Sequence, residues 1–211
     1  MSKEKLFQVI KRLEQNNFET YFAPNIAEAR DIFRREILEK NDIASASYGD
    51  SETMMATGVL EVLRQNRSIA FLDTFDPADS WETRIGKRRE ALTVDLFLAG
   101  SNAITEAGQL VNLDMIGNRV AALTFGPRYV ALFAGRNKIV RDLDAAFIRI
   151  KTISAPANAK LHTKFKTPCQ VTGTCEECRS PQRICNSWTI TEKSFPPGRI
   201  KIILIDEELG L

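Results

Sequence analysis

The sequence lacks any apolar run approaching the roughly 18 residues that a membrane-spanning helix needs. Its first residues, MSKEKLFQVIKRLEQNN, are amphipathic and charged, and they lack the apolar stretch and small-residue cleavage site of a secretory signal. The formal net charge is only +2, from 29 basic and 27 acidic residues, without the basic excess typical of nucleic-acid-binding proteins. We therefore expect a cytoplasmic globular protein with no membrane span and no nucleic-acid partner.

Histidine is nearly absent, since His162 is the only one in the chain. A lone histidine supports no catalytic triad. It precedes a cysteine-rich segment and is therefore an alternative metal ligand, but we favour an incidental surface or capping residue. Chemistry in this protein is expected to depend on other residue types.

Cysteine is also scarce, but all four residues are concentrated in one segment, PCQVTGTCEECRSPQRIC. Cytoplasmic thiols stay reduced, so the clustering favours metal or redox chemistry over disulfides. Glycine and proline within the segment predict a loop that can turn several sulfurs towards one centre. The spacing C-x5-C-x2-C-x6-C predicts a metal site at Cys169, Cys175, Cys178 and Cys185.

The spacing of the four cysteines does not identify the metal. Four thiolates hold either structural zinc in a tetrahedral site or a [4Fe–4S] cluster, and this spacing differs from standard zinc ribbons and from the common ferredoxin run. Two other interpretations stay open: reduced or disulfide-prone cysteines that pin a loop, and a redox pair of Cys175 and Cys178. That pair lacks the strand-to-helix setting of a thioredoxin-like site. We expect a [4Fe–4S] cluster, with zinc as the alternative.

Strand-like and helix-like segments alternate along the chain, which is typical of an α/β protein. Helices are predicted over 3–16, 25–39, 53–64 and 80–92, and from Asp142 or Asp144 to a stop or kink at Pro156. Strands are predicted over 18–23, 43–47, 68–73, 94–100, 119–126, 129–135, 187–191 and 199–206, with a hairpin reaching away from the sheet within 101–118. We expect one three-layer α/β domain over 1–211, with a cysteine-rich metal-binding loop over 168–186.

Several long segments resemble the LUD-domain family of lactate-utilisation proteins, in particular the protein C type. They are GNRVAALTFGPRYVALFAGRNKIVRDLDAAFIRIKTISAPANAKL, PCQVTGTCEECRSPQRICNSWTI, RIKIILIDEELGL and the earlier ASYGDSETMMATGVLEVL. Together they span most of the chain. Compared with the shorter protein C type, this chain is similar to the subgroup that carries a four-cysteine segment.

This resemblance implies a fold like that of the NagB/RpiA/CoA-transferase superfamily, whose sites form at strand ends. It also implies a setting in which some relatives act with iron–sulfur and flavin-linked partners that oxidise L-lactate to pyruvate. Fold alone assigns no reaction. The expectation is an accessory redox protein of organic-acid metabolism that binds a small carboxylate, and a zinc-stapled binding or scaffold module is the alternative.

Two loops at predicted strand ends are candidate anion sites. Ser51 and Thr53 precede a helix whose N-terminal amides can receive a phosphate or carboxylate, although ordinary helix capping explains them as well. Basic and amide side chains follow glycines at two other strand ends, where they can form an anion-binding rim or simply solvated turns. These residues are Asn118, Arg119, Asn137 and Lys138.

Glu106 is the candidate catalytic residue of another alternative, a CoA-transferase-like enzyme. The fold superfamily that the resemblance implies includes such enzymes, and in them a glutamate at a strand end acts as the nucleophile. The match, TEAG, is short, and the chain has no recognisable CoA-specific signature. A surface or hairpin glutamate is the favoured interpretation because glutamate is usually exposed.

Overall fold

The computed structural model describes residues 1–211 and contains ten strands. They are β1 (Glu19–Ala23), β2 (Ser45–Tyr48), β3 (Ala70–Leu72), β4 (Leu96–Gly100), β5 (Ala103–Thr105), β6 (Leu110–Asp114), β7 (Tyr129–Gly135), β8 (Ile139–Val140), β9 (Ser187–Thr191) and β10 (Ile200–Ile205). Six of them form a wholly parallel sheet in the order β1-β10-β7-β4-β2-β3. The strands predicted over 94–100 and 129–135 are confirmed as β4 and β7, which lie at the centre of this sheet.

Nine α-helices accompany the strands, and none is both long and apolar enough to cross a membrane. They are α1 (Lys3–Gln15), α2 (Ile26–Ile32), α3 (Glu52–Ala56), α4 (Val59–Gln65), α5 (Trp81–Glu90), α6 (Asn118–Thr124), α7 (Leu143–Arg149), α8 (Ala155–Leu161) and α9 (Pro168–Thr172). π-Helical turns over Phe33–Leu38 and Ile150–Ser154 extend α2 and α7.

Helices cover both faces of the parallel sheet, which confirms the predicted three-layer α/β class. Successive residues of a strand point to opposite faces, and β7 shows this: Leu132 packs in the core beneath α1 and α6, whereas Phe133 packs in the core beneath α2, α3 and α4. Each of these two cores contains 19 buried residues. The central strands are therefore apolar on both faces, as the sequence indicated.

Side-chain caps place several helix starts where the sequence predicted them. Asn25 Oδ1 accepts a hydrogen bond from the backbone N–H of Glu28 at 2.9 Å, and Asp142 Oδ1 accepts one from Ala145 at 2.9 Å. Such caps satisfy amides that have no partner within the helix. Asp142, rather than Asp144, therefore begins the helix over 143–149.

The strand predicted over 119–126 is wrong, because these residues form α6. Gly117 precedes the helix with a left-handed φ of 88°, and Asp114 Oδ2 accepts a hydrogen bond from the backbone N–H of Arg119 at 3.1 Å. A short apolar run fits a buried helix as well as a strand, so periodicity could not separate them.

Two predicted helix boundaries also change. The helix predicted over 53–64 is divided into α3 and α4 at Gly58, whose φ is 74°. Pro156 does not stop its helix, since a π-helical turn precedes it and α8 continues to Leu161. Pro156 is the second residue of α8, directly after the π-helical turn.

A second sheet of four short strands, in the order β8-β5-β6-β9, lies beyond the parallel sheet. Strands β5 and β6 pair as an antiparallel hairpin, which confirms the hairpin predicted within 101–118. Strand β9 adds antiparallel to β6, and α7 packs on the sheet through Ala146. The cysteine-rich segment connects α8 to β9 and is therefore held next to this second sheet.

Candidate functional site

A cleft of about 250 Å³ opens at the carboxyl ends of β2 and β4. Such crevices at strand ends are the usual ligand sites of open α/β sheets. Gly100, at the end of β4, lets the strand approach α3 closely, because a Cβ there would lie 2.4 Å from Ser51 Oγ. The residues after β2 and β4, the start of α6 and the residues of α8 form its walls.

Five of the six predicted anion-site residues line this cleft: Ser51, Thr53, Asn118, Arg119 and Lys138. The two hydroxyl groups already serve the fold. Ser51 Oγ accepts a hydrogen bond from the N–H of Met54 at 3.2 Å, and Thr53 Oγ1 donates one to the carbonyl oxygen of Leu209 at 3.0 Å. Ordinary capping therefore accounts for Ser51.

Arg119 is buried, with 7% of its surface exposed, and the protein occupies most of its guanidinium. The group donates four hydrogen bonds of 2.8–3.2 Å to oxygens of Gly100, Asn102, Asn112 and Leu113. Asp114 Oδ1 lies 3.8 Å from its Nε. Burial lowers the pKa of Arg119, and Asp114 opposes this effect. The side chain joins β4 to the hairpin and contributes a fixed positive charge to the cleft wall.

Lys138 is the most perturbed basic residue of the cleft. It is only 3% exposed and lies in the 3-10 turn Arg136–Lys138 after β7. Burial, followed by the charges of Arg149 and Arg119, lowers its pKa from 10.5 to about 7. A buried lysine beside two arginines is therefore partly neutral at neutral pH.

Sequence reasoning missed the basic and aromatic wall formed by α5 and its neighbours. The Arg88 guanidinium lies 4.7 Å from the centroid of the Phe75 ring and 5.7 Å from that of Trp81, and its buried Nε has no hydrogen-bond partner. Lys164 Nζ lies 5.5 Å from the Trp81 centroid. The available signal is Trp81 beside the basic residues of 84–89, but the sequence pattern predicts only a helix over 80–92 there.

The structure places two other predicted residues outside the cleft lining. Glu106 lies in the hairpin turn, where its carboxylate pairs with Lys5 Nζ of α1 at 2.6 Å. Asn137 Oδ1 accepts a hydrogen bond from the backbone N–H of Leu209 at 3.1 Å. His162, in contrast, lines the cleft and its Nε2 lies 3.5 Å from Asp50 Oδ2.

The four cysteines line one small cavity, of about 20 Å³, which we call the cysteine cavity. Left-handed backbone at Gly173 (φ 77°) and Glu177 (φ 49°) turns the chain back on itself between them. All four thiols are free and partly buried. No three of these or other His, Cys, Asp or Glu side chains are arranged at metal-binding geometry. The fold thus gathers the thiols without setting them in coordination positions.

Arg183 gives the cysteine cavity a positive neighbour. Its Nε donates to Cys185 Sγ at 3.2 Å, and its Nη1 donates to the carbonyl oxygen of Cys178 at 3.0 Å. Burial raises the pKa of the Cys185 thiol, and Arg183 opposes that rise. A guanidinium beside sulfur favours the thiolate, which is the form that ligates metals.

The cysteine cavity and the cleft share a wall. Ile184 lines both, and α8 places Ala155 and Ala159 against the cysteine cavity but Asn158 against the cleft. Neighbouring residues of this one helix therefore line both sites. The segment predicted to hold a metal is adjacent to the segment predicted to hold an anion.

Comparison with known proteins places the chain in a family. The sequence model of the LUD domain matches residues 6–205, and no curated protein matches the chain. The crystal structure of a DUF162 family protein from Deinococcus radiodurans superposes with a TM-score of 0.55 and 12% identity, covering 97% of this chain and 99% of that one. This likeness shows a shared fold.

Two ribose-5-phosphate isomerase structures match about half of the chain. The enzyme from Plasmodium falciparum gives a TM-score of 0.33 and 10% identity, covering 54% of this chain and 51% of its own. A second, solved in complex with phospho-erythronic acid, gives 0.34 and 17%, covering 56% of each chain. The match of the LUD sequence model to residues 6–205 decides the classification. The chain therefore belongs to the LUD-domain family, which is linked to lactate utilisation.

Proposed function

We propose that this protein is an accessory redox protein of lactate-type organic-acid metabolism, in which four cysteines hold a [4Fe–4S] cluster beside a cleft for a small carboxylate. The observation that carries the proposal is the position of Cys169, Cys175, Cys178 and Cys185 around one cavity that shares Ile184 with the cleft. When bound, such a cluster supplies one-electron transfer.

The chemistry of the cysteine cavity supports this assignment. Four thiols and one carboxylate, Glu176, line the cavity, and thiols are the donor type that iron–sulfur clusters require. Arg183 offers positive charge to sulfur at 3.2 Å, which stabilises thiolates and the net negative charge of a thiolate-bound cluster.

The cleft supports the carboxylate part of the proposal. Its basic side chains, Arg84, Arg88, Arg119, Lys138 and Lys164, outnumber the acidic ones, Asp50, Glu52 and Asp114. The buried Nε of Arg88 has no hydrogen-bond partner in the protein, so this guanidinium is available to bind a carboxylate. Redox partner proteins with iron–sulfur or flavin groups would exchange electrons at the exposed loop.

Metal analysis and an ultraviolet–visible spectrum of anaerobically purified protein test the cluster. We expect about four irons per chain and broad visible absorption, both lost when any one of the four cysteines is replaced by serine. Val171→Ser is the matched control, because this residue lies in the same segment and is 91% exposed. It should keep full iron content.

Two results would contradict the cluster. One zinc per chain without colour would show that the metal in the loop is structural. Full iron retention in all four Cys→Ser variants would show that the iron is bound by other residues. Carboxylate binding is measured separately, by titration of pyruvate into wild type and Arg88→Gln. An unchanged affinity in the variant would remove Arg88 from the site.

A further inference from the structure

Lys138 has the surroundings of a reactive amine rather than those of a structural cation. It is buried but lines the cleft, and its Nζ makes neither an ion pair nor a hydrogen bond within the protein. Lys201 provides the comparison: it is equally buried, yet its Nζ pairs with Glu19. Buried lysines are normally paired, so an unpaired one at a cleft requires an explanation.

The charges around Lys138 are fixed and positive. Arg119 is held by the four hydrogen bonds described above, and Arg149 donates to Asn137 O at 3.0 Å and to Asn102 O and Ser154 Oγ at 2.7 Å. Burial and these two guanidinium groups lower the pKa of Lys138 to about 7. Desolvation next to another cation is one of the recognised ways in which proteins make a lysine amine nucleophilic.

We propose that Lys138 Nζ is a nucleophile that forms a Schiff base with a small 2-oxo acid bound in the cleft. The amine nitrogen bonds to C2 of the acid, and the carbonyl oxygen takes up the proton that the nitrogen releases, which gives a carbinolamine. Loss of that hydroxyl group with one proton, as water, gives the C=N bond. The reaction consumes no oxidant or reductant.

The choice of a 2-oxo acid rests on the proposed lactate-type function, and the cleft agrees with it. Its volume of about 250 Å³ is small, below the roughly 300–1,000 Å³ typical of drug-sized ligands. Arg119 is occupied by protein oxygens, whereas the buried Nε of Arg88 has no hydrogen-bond partner, so Arg88 is the guanidinium that we assign to the acid's carboxylate. Lys138 lines the same cleft as Arg88, and the proposal requires the carbonyl carbon of the acid to reach its Nζ.

Borohydride trapping tests this reaction on the protein as isolated. Wild-type protein is incubated with pyruvate, reduced with sodium borohydride, and analysed by intact mass and by peptide mapping. We expect one reduced pyruvyl adduct per chain, on the peptide that contains Lys138. Lys138→Met should lose the adduct, whereas Lys193→Met, which removes an exposed lysine with no polar contact, should keep it.

The mapping on wild type decides the question even if Lys138→Met fails to fold. Absence of an adduct, an adduct on another lysine, or labelling spread over exposed lysines would each overturn the assignment. Trapping needs no metal, so it is independent of the cluster. If the protein carries iron but forms no adduct, the role of Lys138 is refuted and the cluster proposal is unaffected. If Lys138 forms the adduct and the protein binds no iron, the Schiff-base proposal is supported and the redox proposal fails.

Discussion

The burial of Lys138 predicts that its replacement by methionine stabilises the protein in a pH-dependent manner. Methionine keeps the length of the side chain and removes the amine. The pKa falls from 10.5 to about 7 on folding, a difference that corresponds to about 5 kcal/mol at about 1.4 kcal/mol per pH unit. This is the free energy that the folded state loses by enclosing the charged form of Lys138.

The sign of the pH dependence follows from proton binding. Below pH 7 the amine is protonated in both states, so the folded wild type carries the full cost. Between pH 7 and 10.5 the unfolded chain binds more protons, and wild-type stability therefore rises with pH. We expect Lys138→Met to exceed wild type by up to about 5 kcal/mol near pH 6, with an advantage that declines by about 1.4 kcal/mol per pH unit above pH 7.

Urea unfolding of both proteins at a series of pH values measures this difference, with Lys193→Met as the control for removal of an exposed lysine charge. The comparison cancels every other titrating group that the two proteins share. A stability difference that does not change between about pH 6 and 9.5 would refute the reasoning, because Lys138 would then have the same pKa in both states. It would also remove the neutral amine on which Schiff-base formation depends.

Two further predictions concern the scaffold. Gly100→Ala should lower the free energy of unfolding by about 1 kcal/mol, because the added Cβ displaces Ser51 Oγ from its capping position. In a Ser51→Ala background, thermal unfolding should show a much smaller cost of the same substitution. Equal costs in the wild-type and Ser51→Ala backgrounds would reject the cap as the cause. Asp142→Ala should cost about 1 kcal/mol by removing the cap of α7. Asp144→Ala serves as its matched control, and equal losses from both would contradict that role.

Local sequence chemistry predicted much of the scaffold. Asn25 and Asp142 marked helix starts correctly because a capping side chain acts within its own turn. The strand β7 was recognisable because a run buried on both faces is apolar throughout. The same rule failed at α6, where Val120, Ala122 and Leu123 are buried in a short helix and give no diagnostic period.

The candidate site was harder to predict because distant segments supply it. Lys138 was identified from its place after a strand, but its lowered pKa depends on Arg149 and on the burial of its amine, neither of which periodicity reveals. Arg88 was missed because its importance comes from the Phe75 ring and from the absence of a hydrogen-bond partner. Neither feature exists in the sequence alone.

The wall shared by the cysteine cavity and the cleft is common to the two proposed sites, the metal site and the acid-binding site. Ile184 lines both sites and precedes Cys185, so any metal that tightens the four cysteines also sets the position of a cleft residue. With iron–sulfur, α8 and Ile184 separate an electron donor or acceptor from the bound acid. With zinc, the same contact makes the metal a support for the cleft wall. On either proposal a bound metal would act on the cleft through Ile184, and its identity would decide whether that effect is electronic or only mechanical.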